Sequence, residues 1–164
     1  MRRAAIVFGL LALFLPASAF AQASADYVIH ISVDGVNASE FESLIAGDPV
    51  EYDSFKRLID EGASTFNART DYDRTETLPD HTSMITGRPV LQPAGQANTV
   101  QHGYTDNSDP GGSDTLHNSG NPNLSYIAST FGVAHDFGLS TALYASKTKF
   151  VLYEQSYDIS NGAP

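Results

Sequence analysis

Seven residues, Tyr27-Val28-Ile29-His30-Ile31-Ser32-Val33, constrain the fold most. An almost unbroken run of β-branched and apolar side chains suits a strand buried on both faces, as in the centre of a parallel sheet. Asp34-Gly35 closes the run. Asp34 is then either the start of an Asp-Gly turn or a carboxylate at the carboxyl end of a strand, where α/β sheets place their ligands. Two further segments, 63–70 and 139–145, read as strands. Between them lie helical patterns: a loop-helix from Ser39 to about Ala46, and Glu51 to Glu61 with Phe55, Leu58 and Ile59 on one face and Gly62 as its stop. A third runs from Leu124 to Phe137, with Leu124, Ile127, Phe131 and Ala134 on one face, Asn123 or Ser125 as cap and Gly138 as stop. Strands alternating with helices predict an α/β fold, a mainly parallel sheet with helices on both faces. His30 reads as a satisfied interior residue of the first strand.

The first 21 residues are set apart from this domain. Arg2 and Arg3 precede an apolar stretch from Ala4 to Leu15, Pro16 breaks it, and Ala19-Phe20-Ala21 has the small-x-small form of a cleavage site. The stretch is too short to span a bilayer comfortably. A signal peptide over 1–21 and an exported, periplasmic or secreted protein are expected, with the domain occupying 26–164. With 164 residues, a 41% hydrophobic content and a formal charge of −10, the chain is globular and acidic. Such a charge disfavours nucleic acid duplexes and anionic membrane surfaces as partners. The absence of cysteine excludes disulfides, thiolate nucleophiles and cysteine-based metal sites.

The most unusual stretch is Glu76-Thr77-Leu78-Pro79-Asp80-His81-Thr82-Ser83-Met84-Ile85-Thr86-Gly87-Arg88-Pro89. Pro79 suits the first helical position, and Gly87 followed by Pro89 marks the exit. Thr77 therefore lies just ahead of a short helix, as a cap or as a nucleophile in the positive field of the helix terminus. From Pro89 to Asn123 the chain reads as a long loop, a length uncommon without a role. It carries His102-Gly103-Tyr104-Thr105-Asp106-Asn107. The single imidazoles of His81 and His102 suit hydrogen bonds that hold their turns better than metal ligation, and His135-Asp136 reads as ordinary helix surface.

Taken in order, the strand ending in Asp34, Thr-Leu-Pro-x-His at 77–81 with Thr86-Gly87 behind it, and His-Gly-x-x-x-Asn at 102–107 resemble the N-terminal part of the alkaline phosphatase superfamily. The nearest branch is the type I phosphodiesterase/nucleotide pyrophosphatase family. The resemblance runs from about Asp26 to Asp158 and covers the first third to half of what the family uses. It implies a zinc-dependent hydrolase of phosphodiesters or phosphate esters, including nucleotides, with two zinc ions. Asp34 would be a carboxylate ligand of one zinc, and Thr77 both its ligand and the nucleophile that forms a phosphothreonine. Asn107 would donate to a phosphoryl oxygen, with backbone donors from the Leu78–His81 turn. Lys147 and Lys149 match a Lys-x-Lys that in some members contacts the far anionic group of the substrate; otherwise they are solvated. Asp80 stands where Asn is more usual. The Cys/Ser-x-Pro-x-Arg pattern of sulfatases is missing. A catalytic zinc takes about three protein ligands, and the rest of the family's set is expected beyond Pro164. Two alternatives follow from that: a fragment unable to hold two zincs, or an anion-binding module that uses only the helix terminus.

Overall fold

The computed structural model describes residues 25–71 and 74–158. The expected signal peptide lies outside them. Where the sequence pattern asks for strands the chain forms none, and among the described residues there is no strand and no sheet. The expectation of a mainly parallel sheet flanked by helices is therefore overturned. Residues 27–33 show why. They belong to a unit of their own that ends at Val33, and exposure of its large apolar side chains runs from 68% for Val33 to 89% for Tyr27. A β-branched run biases its own backbone toward extended angles, but a strand exists only when a neighbour supplies hydrogen bonds in register. Segments 63–70 and 139–145 fail in the same way, and Tyr144 is 93% exposed. His30 is exposed instead of interior.

The second unit begins at Asp34 and is helical. Helix α1 (Ala38–Gly47) starts at Asn37, whose side-chain oxygen accepts the Ser39 and Glu40 N–H groups. Helix α2 (Asp53–Glu61) ends at Gly62, as its sequence predicts. Phe41 and Phe55 meet edge to face at 4.8 Å to join the two. The outer side of α2 carries the i,i+4 pairs Lys56–Asp60 and Arg57–Glu61, each exposed and worth only a few tenths of a kcal/mol.

The core is built from the rest. Helix α3 (Thr77–Thr86) buries Leu78 and Ile85. Its exit is the one the sequence predicts, with Gly87 in the left-handed region at φ 65° and its N–H bonded to Ser83 O. Around it pack Tyr104, Leu116 of the short α4 (Leu116–Ser119), and Ile127. Leu152, Tyr153 and Tyr157 close the cluster, from α6 (Val151–Ser156) and the residue after it. Buried polar groups inside it are paired: Ser156 Oγ accepts from Leu116 N and donates to Leu152 O, and the Tyr157 hydroxyl donates to Ile127 O at 2.6 Å.

The helix expected over Leu124–Phe137 is halved. Only α5 (Thr130–Asp136) forms, capped by Ser129, whose hydroxyl accepts the Phe131 and Gly132 N–H groups. The first half is captured by tertiary bonds. Ile127 N–H donates to His117 Nδ1, and the His117 Nε2–H donates to Ser156 O at 2.8 Å. His117 also stacks on Tyr126 at 4.6 Å. These bonds remove Ile127 from any helical ladder. Among the described residues no helix is long and apolar enough to cross a membrane.

Candidate active site

Thr77 is the first residue of α3, with Glu76 as the N-cap in extended conformation. It is thus not the cap itself, and Pro79 is the third helical residue instead of the first. That placement frees the threonine hydroxyl from capping. The half-buried Thr77 Oγ1 donates instead to Asp34 Oδ2, 3.0 Å away and 43 positions earlier in the chain. Asp34 sits in the Asp34-Gly35 turn, with Gly35 at φ 78°, where a left-handed backbone favours glycine.

A third group completes the arrangement. Lys147 Nζ lies 2.5 Å from Asp34 Oδ2 and 3.3 Å from Thr77 Oγ1. The hydrogen bond from Lys147, then that from Thr77, hold the Asp34 carboxyl below the usual carboxylate range against a smaller opposing effect of burial. Asp34 is therefore ionised at neutral pH and acts only as an acceptor. A carboxylate held that low is a poor proton acceptor, so Asp34 alone does not turn the Thr77 hydroxyl into an alkoxide.

Asn107 reaches the same helix end by another route. Its Oδ1 accepts the Leu78 N–H at 3.0 Å and faces Lys149 Nζ at 3.1 Å, while Lys149 also donates to the Asn107 carbonyl. With the side-chain carbonyl so engaged, the Asn107 amide NH₂ is the end with protons to give. The expectation that Asn107 donates to an anion is compatible with this orientation. The expectation of backbone donors from Leu78 to His81 fares worse. Leu78 N–H is taken by Asn107, Pro79 has none, and Asp80 N–H goes to Glu76 O. The positive charge at this helix end comes from Lys147 and Lys149.

The segment around the lysines explains how two near neighbours serve two partners. Lys147 has extended backbone angles ahead of a 3₁₀ turn over Thr148–Phe150. The change from extended to helical backbone sends Lys147 to Asp34 and Lys149 to Asn107, and Thr148 Oγ1 donates to Asp109 Oδ2 at 2.8 Å between them. Sequence reasoning left both lysines either at the far anionic end of a substrate or solvated. It missed that Lys147 bridges the carboxylate and the hydroxyl, since nothing in a Lys-x-Lys pattern encodes a contact 113 residues away.

The imidazoles behave as holding groups. A carbonyl can only accept, so the His81 Nδ1 facing Thr77 O at 2.7 Å carries a proton; the ring also meets Phe150 edge to face. His102 is fully buried. Its Nδ1 accepts the Tyr104 N–H, which leaves the proton on Nε2, facing Ser83 Oγ at 3.1 Å. Burial pushes its pKa from 6.5 to about 4, with Arg88 adding to the effect and Asp71 opposing it. Gly103 follows at φ 78°, and a Cβ there would lie 2.7 Å from the Gly120 backbone. That close approach aims the chain toward Asn107. Tyr153 supports the start of α3 from below, its hydroxyl within reach of Thr82 Oγ1 and Leu78 O. His135 faces Thr141 Oγ1 on the surface, as its reading predicted.

The donor chemistry suits part of a metal centre. Asp34 Oδ2 and Thr77 Oγ1 are two oxygen donors already sharing one cation, the Lys147 ammonium. They fit one edge of one metal's shell. Among the described residues no group of three or more His, Cys, Asp and Glu side chains comes together, so the rest of a two-zinc ligand set is not built from them. No family model, no curated protein and no solved structure matches the chain.

Proposed function

We propose that this chain carries the nucleophile side of an exported phosphate-ester hydrolase of the phosphodiesterase/nucleotide pyrophosphatase type, acting on small phosphate esters or nucleotides. The observation that carries the reading is the 3.0 Å contact between Thr77 Oγ1 and Asp34 Oδ2. Two residues singled out by separate motifs share a proton at the start of a helix. In this reading Thr77 is the nucleophile and Asp34 orients its hydroxyl. Asn107 presents its amide to a phosphoryl oxygen, and Lys149 fixes the rotation of that amide. Asp34 and Thr77 would hold zinc at one edge, and zinc there would supply the fall in hydroxyl pKa that the carboxylate cannot. The proton of the Thr77 hydroxyl would be lost to water, since the Asp34 carboxylate is too weak a base to keep it. Export rests on the leader pattern of the first 21 residues.

Hydrolysis of a chromogenic phosphodiester by the zinc-supplemented chain tests the reading. Thr77→Ala should lower turnover by about a thousandfold or more, as loss of a covalent nucleophile does, and Thr77→Ser should keep part of it. An alanine variant with wild-type turnover, or a wild-type chain with none, would refute it.

One observation favours a second reading. The site brings together two lysine ammonium groups and an ionised carboxylate, and among the described residues there is no cluster of three metal-binding side chains. As a metal-free oxyanion site it would bind inorganic phosphate equally well with and without a chelator, and would lose that binding in the Lys147→Met/Lys149→Met double variant.

A further inference from the structure

We propose that residues 27–33 are the docking surface for a second copy of this chain, the two copies pairing antiparallel about a two-fold axis at His30. The proposal goes beyond the hydrolase reading and does not depend on it.

The make-up of the segment singles it out. Its seven residues include no Asp, Glu, Lys, Arg, Gly or Pro, in a chain whose formal charge is −10. In a strand successive side chains alternate between faces, so Tyr27, Ile29, Ile31 and Val33 would share one face, and Val28, His30 and Ser32 the other. All four large apolar side chains of the first face are exposed, Ile29 at 82% and Ile31 at 79%. A contiguous apolar set of this kind marks an interaction site, where scattered single residues would not. The core cluster uses no residue of 27–33, so the segment is free to serve an interface.

The occupant follows from the order of the side chains. Laid antiparallel on itself with His30 opposite His30, the segment sets Tyr27 against Val33, Ile29 against Ile31 and Val28 against Ser32 of the other copy. Every apolar residue of the exposed face then meets an apolar residue, the kind of cross-strand pair that stabilises adjoining strands. A slip of one residue sets Ile29 against Ser32 and Ile31 against His30 and loses the match. Charge selects the closed form. Antiparallel pairing closes on a two-fold axis, whereas parallel in-register stacking continues open-ended, and each added copy brings another acidic chain. Asp34, at the end of the pairing, is already held by Lys147 at 2.5 Å, so its charge is not left bare.

Seven residues span roughly 23 Å. A contact of that length falls at the small end of protein interfaces, under about 1,200 Å² in total. The dimer is therefore weak, and salt that screens the repulsion between two acidic chains strengthens it.

Sedimentation velocity on the chain without residues 1–21, the form that export would leave, tests this. From micromolar to near-millimolar protein it should show a monomer–dimer equilibrium that tightens between about 0.01 M and about 1 M salt. The double variant Ile29→Lys/Ile31→Lys should weaken association at least tenfold. Leu58→Lys, at an exposed apolar position of α2, should leave it within about twofold. Far-UV circular dichroism of both variants should match wild type. The chain has no cysteine, so one introduced thiol reports the register. His30→Cys should oxidise to a covalent dimer. Ser32→Cys should do so at least tenfold more slowly, because this register holds the two copies of position 32 about 13 Å apart, beyond the roughly 7 Å a disulfide spans. The proposal is overturned by a monomer at every concentration, by growth past the dimer, by a double variant that associates like wild type, by an equal loss in Leu58→Lys, or by Ser32→Cys crosslinking as fast as His30→Cys.

Discussion

Acidification should destabilise this protein well above the carboxylate range, and the cause is His102. In the folded chain its ring is fully buried, Nδ1 is committed as an acceptor to the Tyr104 N–H, and Nε2 faces Ser83. Charging the ring puts a proton on Nδ1, which breaks that bond and leaves a buried cation opposite a backbone N–H. Asp71 and the Pro79 backbone favour the charge, and Arg88 opposes it. The folded pKa is about 4 against 6.5 in the open chain. The unfolded state therefore binds the proton first, and stability falls as pH drops through that window. Above 6.5 the full stability is present; below about 4 His102 takes away nothing more. At roughly 1.4 kcal/mol per pH unit the whole loss is roughly 3 kcal/mol, of which about 1.4 has gone by pH 5.5. The other shifted carboxyls act elsewhere or oppositely. Asp34 and Asp106 have lowered values, so their contributions persist down to their ordinary 3.8 and are lost below it. Asp80, raised chiefly by burial, stabilises the fold in acid and loses that contribution as pH rises through its folded value. Urea unfolding at pH 7.5, 5.5 and 4.5 should show the decline. His102→Asn, whose side-chain oxygen can still accept the Tyr104 N–H, should be less stable at pH 7.5 yet lack the His102 part of the slope. The proton resonance of the His102 ring should stay unshifted down to about pH 5. Parallel pH curves for wild type and variant, or a ring that titrates near 6.5, would refute the reasoning.

Two further expectations concern the supports of the site. Gly103→Ala must hold a Cβ at φ 78° and 2.7 Å from the Gly120 backbone, so thermal unfolding should show a loss of more than about 2 kcal/mol. Tyr157→Phe removes the 2.6 Å bond to the Ile127 carbonyl; leaving that acceptor without its donor should cost about 1–2 kcal/mol in chemical denaturation, with an unchanged m-value.

Local chemistry was legible where its cause was local. Gly87 stops α3 in the left-handed region that closes that turn, whereas Gly62 ends α2 with extended angles, where a Cβ would lie 2.7 Å from Leu58 O, and the predicted face of Phe55 and Leu58 stays largely exposed. The Asn37 and Ser129 caps sit within three residues of the N–H groups they satisfy, yet the sequence reading singles out neither, and at Ser129 the apolar spacing continues through Ile127 to Leu124. That spacing was real but outcompeted: His117, ten residues earlier, took the Ile127 N–H. The strand readings failed for a related reason. β-branched residues at 27–33 favour extended angles, and only a partner backbone would make a sheet of them.

What the sequence determined by itself is a set of short-range commitments: where α2 and α3 stop, and which motif residues bear hydroxyl, carboxyl and ammonium groups. Tertiary structure alone decided that Asp34, Thr77 and Lys147 converge, that Asn107 turns its carbonyl to Leu78 and Lys149, and that no strand forms among the described residues. A helix satisfies its own hydrogen bonds within four residues, so neighbours in sequence specify it. A strand pairing or a three-residue site closes loops of 43 to 113 positions, and the packing of the whole core determines which of those closures occur.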